Sequence, residues 1–245
     1  MKFSDTSYYF RLLKNGSTFG YNEKKEFIPA SLIKMPLAIA YFKLSESNPE
    51  LLKKKVLIDK LDFNVGKRNI GEDNVKIGNT YTIYELIENM LINSDNIATV
   101  LLFDYIGEKK LKEVYSELGL KNIDFHNPDS VKISSKDYSS FFRILYNSSY
   151  LNRNSSETIL SILSKSSFKI GLRALLPKDL IISNKFGERG IEKSNETQLH
   201  DCGIIYANDN PYILCVMTKG EDFKDLAYII ENISKIVYEN IVVKN

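Results

Sequence analysis

A serine and a lysine one helical turn apart, inside an apolar run, are the raw material of an activated nucleophile. Residues 27–42, FIPASLIKMPLAIAYF, hold such a pair at Ser31 and Lys34. The apolar neighbours desolvate the ammonium, and burial favours the neutral amine that can accept a proton. Positions three apart share a helix face, so hydroxyl and amine would lie together. A lysine beside a serine in this way is one route to a nucleophilic hydroxyl. The pair alone carries little weight. The chain has 24 serines and 27 lysines, and the pattern recurs as Ser166 and Lys169 in a polar stretch.

Two further clusters combine donors and charge: Ser94-Asp95-Asn96 and Lys185-Phe186-Gly187. Each has an ordinary explanation, a helix cap for the first and a strand-end lysine for the second. His200-Asp201 offers two parts of a Ser-His-Asp hydrolase. Adjacent strand residues point to opposite faces, however, and the chain has no Gly-x-Ser-x-Gly elbow. No Cys/His cluster has metal-ligand spacing, so neither a metal nor a cofactor is expected. The two cysteines, Cys202 and Cys215, fall on consecutive strands joined by a turn at Asn208-Asp209. A disulfide between them is open, but two buried free thiols are the expectation.

The elements that must position these groups follow a clear order. SYYFRLLKNGSTFGYNE alternates and turns at Asn15-Gly16, a hairpin signal. From the Ser31 helix to about residue 165 nearly everything reads as helix. TIYELIENMLI opens with Thr82 and Glu85 in capping-box spacing, and the next two helices stop at Gly107 and Gly119. Two more follow, in SSKDYSSFFRILYN and NSSETILSILSKS. Strands return as LIISNKFGE, LHDCGIIYA and PYILCVMTK, and FKDLAYIIENISKIVYENIV closes the chain as an amphipathic helix. A hairpin is marginal alone, so the first strands need the last three as partners. The fold class is therefore α/β (α+β): a five-stranded antiparallel sheet built from both chain ends, with flanking helices and an all-helical insertion. The expected division is 1–45 with 166–245, and 46–165, sharing an interface where clefts form.

Composition narrows the class further. The 245 residues are 43% hydrophobic and 26% charged, ordinary values for a globular protein with a substantial core. Lys plus Arg is 33 against 31 for Asp plus Glu, so no global field favours nucleic acid or an anionic membrane. The densest basic run, Lys53-Lys54-Lys55, reads as a solvated helix end. No apolar stretch reaches the ~18 residues of a membrane span. The start, MKFSDTSYYF, lacks the apolar core of a signal peptide, which points to the cytoplasm unless a natural leader was removed. A monomer is expected.

Taken in order, Ser31-x-x-Lys34, Ser94-Asp95-Asn96 and Lys185-x-Gly187 form a set that resembles the motifs of class A β-lactamases and penicillin-binding proteins. Most of the chain takes part. A hairpin precedes the serine helix, Ser94 lies 63 residues after Ser31, and Lys185 lies 91 after Ser94. The resemblance implies the β-lactamase/transpeptidase-like fold and a serine hydrolase that forms an acyl-enzyme at Ser31. Its substrate would be a β-lactam or a peptidoglycan-like peptide. Lys34 would take the serine proton, Ser94 would relay a proton to the leaving nitrogen, and Asn96 would contact the substrate's side-chain amide. Lys185 would add positive charge near the substrate carboxylate, beside Gly187, and the backbone N–H groups of Ser31 and Glu188 would form the oxyanion hole.

Two departures qualify that picture. The third motif usually carries Thr or Ser in its middle, where this chain has Phe186, which cannot donate a hydrogen bond. Arg189 and Arg173 are candidates to hold the carboxylate instead, and each is equally readable as a surface or structural arginine. The family's loop glutamate, which activates the deacylating water, has no counterpart either. LKNIDFHNPDSVKI, residues 120–133, is short and contains no glutamate. Asp124, His126 and Asp129 are the candidate substitutes, and slow deacylation is the expectation. That leaves two alternatives, a D-alanyl-D-alanine carboxypeptidase or small esterase trapped by β-lactams, and a non-hydrolytic penicillin-binding sensor.

Overall fold

The computed structural model describes residues 3–60, 72–120, 131–191 and 196–242. Five strands form one antiparallel sheet from the two ends of the chain, in the order β2-β1-β9-β8-β7. They are β1 (Phe3–Leu12), β2 (Thr18–Tyr21), β7 (Ile182–Ile191), β8 (Glu196–Ile205) and β9 (Tyr212–Gly220). Both hairpin turns fall where the sequence places them. Gly16 supplies a positive φ of 79° between β1 and β2. Asn208 and Asp209 form the turn between β8 and β9.

Alternation along the strands gives the sheet two faces with different partners. Ile204, Ile213 and Met217 face the helical body. Leu199, Leu214 and Val216 face the closing helix α7 (Phe223–Val242), packing against Leu226 and Ile230. Directly opposed register, Cys202 against Cys215, brings the two Cα atoms to 3.9 Å, and the pair forms a disulfide. This corrects the expectation of free thiols. Alternation told that both cysteines would be buried, and the exact cross-strand pairing decided that they meet.

Between the chain ends lie the helices α1 (Lys34–Ser47), α2 (Ile83–Ile92), α3 (Asn96–Ile106), α4 (Glu108–Glu117), α5 (Ser135–Tyr146) and α6 (Arg153–Ser164). Thr82 and Glu85 make the full capping box of α2, while Asp95, Ser134 and Asn152 cap α3, α5 and α6. Helix α1 is buried at every residue from Lys34 to Phe42. A helix apolar all round belongs in an interior, and α1 runs through the middle of α2, α3, α4 and α6. The stretch is not wholly helical, however. Four short strands pair off as β3 (Glu26–Phe27) with β6 (Ile133–Ser134), and β4 (Lys55–Leu57) with β5 (Thr80–Thr82). Strands of two or three residues are too short to show a period, so no sequence pattern announces them. No helix among the described residues is long and apolar enough to cross a membrane.

Candidate active site

Ser31 sits in a 3-10 turn, Ala30–Ile33, that leads directly into α1. In that geometry side chains at i and i+3 eclipse, and the backbone N–H of Lys34 bonds the Ser31 carbonyl. Ser31 and Lys34 thus lie one over the other. The turn begins with Ala30 at φ 49°, an unusual value for a residue with a Cβ. Two buried groups pin it from either side. Tyr138 on α5 donates its hydroxyl to the Leu32 carbonyl at 2.9 Å. His200 on β8 lies 3.0 Å from the Ile28 carbonyl through Nε2, while its Nδ1 accepts the Thr218 N–H at 3.3 Å. Those two bonds fix the Nε2–H tautomer. Complete burial pulls the imidazole pKa down from 6.5 to about 4, so the ring is a neutral strut.

The second motif meets the first at Lys34. Its Nζ donates to the Ser94 carbonyl at 2.5 Å, to Ser94 Oγ at 3.2 Å and to Asn96 Oδ1 at 2.7 Å. Lys34 and Ser94 are both buried, at 3% and 2% exposure. A buried lysine nitrogen needs such partners, and here they come from the loop after α2 and from the first residue of α3. Ser94 itself stands at φ 54°. The carboxylate of Asp95 holds that conformation. One oxygen caps α3 through the Ala98 N–H at 2.7 Å, and the other accepts from Asn74 and Val75 N–H. The Asn96 N–H bonds Asp73 at 2.7 Å. The helix-cap explanation holds for Asp95, while its neighbours Ser94 and Asn96 contact the lysine. Neither Tyr138 nor Asp73 carried a local sequence signal, because each acts across more than 20 residues of chain.

The third motif lies on β7, the sheet edge that packs against the Ser31 turn. Contact is closest at Gly187. A Cβ there would stand 2.9 Å from the Pro29 carbonyl and 3.1 Å from the Leu32 side chain. Lys185 is fully buried and donates from Nζ to the Phe186 carbonyl at 2.9 Å. Glu188 and Arg189 follow on the same strand, both half-buried. Arg173 does not join them. Its guanidinium donates to the carbonyls of Leu180 and Ile182, which commits it to the backbone rather than to a carboxylate ligand. Phe186 lies on the opposite face of the sheet from Gly187, stacked on Phe168.

His200 and Asp201 do not pair, as strand alternation requires. Asp201 points to the α7 side, where it accepts the Leu172 N–H and the Asn184 side-chain amide, both at 2.9 Å. Burial raises its pKa from 3.8 to about 7, against the opposing pull of those bonds and of Lys185 and Arg173. Gly171 makes room for this arrangement, since a Cβ there would stand 2.7 Å from the carboxylate. The decoy lysine, Lys169, donates to the Ser166 carbonyl and not to its hydroxyl. Asp124, His126 and Asp129 lie outside the described residues. Among those described, no group of three or more His, Cys, Asp or Glu side chains could hold a metal ion.

A hydroxyl over a buried lysine, with a second serine on that lysine and a sheet edge against the turn, is equipment for acyl transfer. The chain belongs to the β-lactamase enzyme family, whose model matches residues 2–241. Solved structures share the fold over nearly the whole length. TLA-3 extended-spectrum β-lactamase aligns with a TM-score of 0.87 at 20% identity, covering 98% of this chain and 94% of that one. A class A β-lactamase from Bacteroides cellulosilyticus aligns at 0.85 and 19%, covering 99% and 94%. A mutant of PBP-A, solved as an acyl-enzyme complex with penicillin G, aligns at 0.80 and 24%, covering 96% and 89%. At these identities the likeness establishes the fold. No curated protein matches the sequence.

Proposed function

We propose that this protein is a serine hydrolase that opens β-lactams or related amides through an acyl-enzyme at Ser31. The observation that carries the reading is the Lys34 side-chain nitrogen, held by Ser94 and Asn96 one tight turn from the Ser31 hydroxyl. In the reaction Lys34, acting as the neutral amine, accepts the Ser31 proton as the oxygen attacks the carbonyl carbon. Ser94 passes a proton to the leaving nitrogen, and Asn96 contacts the substrate's amide. The N–H groups of Ser31 and Glu188 receive the developing oxyanion, a role the close approach of β7 to the turn supports. Lys185, with Gly187 and Arg189, attracts the substrate carboxylate.

Intact-protein mass spectrometry after incubation with a penicillin tests this directly. One drug mass should add at Ser31 and vanish in Ser31→Ala. Lys34→Ala should slow the addition by about 10²-fold or more, with Lys34→Arg no better because arginine keeps its proton. An adduct mapped to Ser166 would overturn the assignment. The missing glutamate of residues 120–133 favours one variant of the reading, in which the acyl-enzyme forms readily and hydrolyses slowly. A D-alanyl-D-alanine carboxypeptidase, a small esterase or a penicillin sensor would share that trait. Turnover of a chromogenic cephalosporin, set against survival of the adduct, separates them from a true β-lactamase.

A further inference from the structure

Phe186 occupies the middle of a motif where the family carries a hydroxyl, and its surroundings give the ring a task of its own. The Lys185 Nζ lies 4.2 Å from the centroid of the Phe186 ring. The same nitrogen donates to the Phe186 carbonyl, so residue 186 holds the ammonium with both its main chain and its side chain. The ring is itself fixed. It stacks on Phe168 with centroids 4.4 Å apart and planes 16° from parallel. Phe168 in turn presses on Gly171, where a Cβ would come within 2.6 Å of the Phe168 ring. Gly171 stands at φ 81°, a conformation that already suits glycine. Backbone, ring, ring and ammonium thus form one buried stack.

We infer that Phe186 is a positioning residue for the reaction, holding the Lys185 ammonium in place through the face of its ring. An aromatic face attracts a cation through its quadrupole, and the attraction grows when water is excluded, as it is at this fully buried lysine. This inference rests on the role proposed above for Lys185. The charge of Asp201 on β8 also bears on that lysine. The test must therefore alter the ring and leave the carboxylate alone.

Fluorinated phenylalanines do so, because they nearly keep the ring's shape while draining its face of negative potential. Mono-, di- and trifluoro-phenylalanine would be placed at position 186 and, in a second series, at position 168. Two readouts apply: the titration midpoint of Lys185, followed by NMR of a 13Cε label, and the rate of penicillin addition at Ser31. At position 186 the midpoint should fall step by step with fluorine count, and the rate should drop by about tenfold across the series. At position 168, the ring that stacks on Phe186, both should stay flat. A flat midpoint at 186, or equal changes in the two series, overturns the inference. If wild-type protein takes up no penicillin, the functional reading fails by itself, and the Lys185 midpoint still decides whether the ring holds the charge.

Discussion

Asp201 and His200 are neighbours in sequence that titrate in opposite directions, and the folded state should record both. His200 has its pKa lowered from 6.5 to about 4, so the unfolded chain binds the extra proton between those values. Its contribution to stability is therefore lost as pH falls through that window. Asp201 is raised from 3.8 to about 7, so here the folded state holds the extra proton. Its contribution is complete below 3.8 and is lost as pH rises toward 7 and beyond. Between about 4 and 6.5 the two slopes oppose each other. Asp201→Asn should remove one of them. Asn184 can turn its amide to pair with the new side chain, since its own carbonyl oxygen has no partner in the described structure. The melting temperature of Asp201→Asn, relative to wild type, should climb by several degrees as pH rises from 4 to 8. A difference constant with pH would mean that Asp201 is ionised throughout. Strand alternation was enough to predict that these two residues would not pair. What each one touches was hidden, because His200 meets Ile28 across 172 residues of chain. Ser31 and Lys34 could be singled out for the opposite reason, a spacing of three that survives in one dimension, whereas Ser94 stood out only through the motif order of the resemblance.

Elements place these residues by contact between backbones, and the critical contact is β7 against the Ser31 turn. Gly187 makes it possible. Alanine there would put a methyl group 2.9 Å from the Pro29 carbonyl and 3.2 Å from the Leu32 nitrogen, both atoms of main chain with little freedom to retreat. The strand must back away, carrying Glu188 from Ser31. Gly187→Ala should thus slow acylation by about tenfold or more, at a stability cost of roughly 1–3 kcal/mol for overpacking. Stopped-flow acylation beside thermal melts would separate the two effects. Acylation at the wild-type rate would mean that the turn tolerates a wider gap. The sequence shows strands and helices well where a period runs for eight residues or more, as in α2, α7 and β9. It shows the Ser31 segment only as helix, because a 3-10 turn followed by an α-helix has nearly the same apolar pattern. The four strands of β3–β6 and β4–β5 were invisible for lack of length.

Across the whole molecule, the groups proposed for acylation come from three separate parts of the chain and meet at one place. The Ser31 turn, the loop before α3 and the edge strand β7 are held there by a core that runs without a break from the helices to one face of the sheet. Helix α5 joins the two regions, bonding Ser135 to Ser7 of β1 at 2.7 Å and Tyr138 to the turn. The proposed acylation thus draws on elements from the whole fold. Deacylation differs, because in the resemblance it hangs on one glutamate in one loop, and residues 120–133 have none. Attack by water on the ester then lacks its usual base, a loss of about 10² to 10⁴-fold. Mixing enzyme with excess chromogenic cephalosporin should release one equivalent of product per active site in a burst. A much slower steady rate should follow, equal to the rate at which the Ser31 adduct disappears in the mass spectrum. Asp124→Asn, His126→Ala and Asp129→Asn should each leave that slow rate unchanged, unless one of them has taken over as base. Steady turnover from the first instant, with no burst, would show that acylation and not deacylation limits this enzyme.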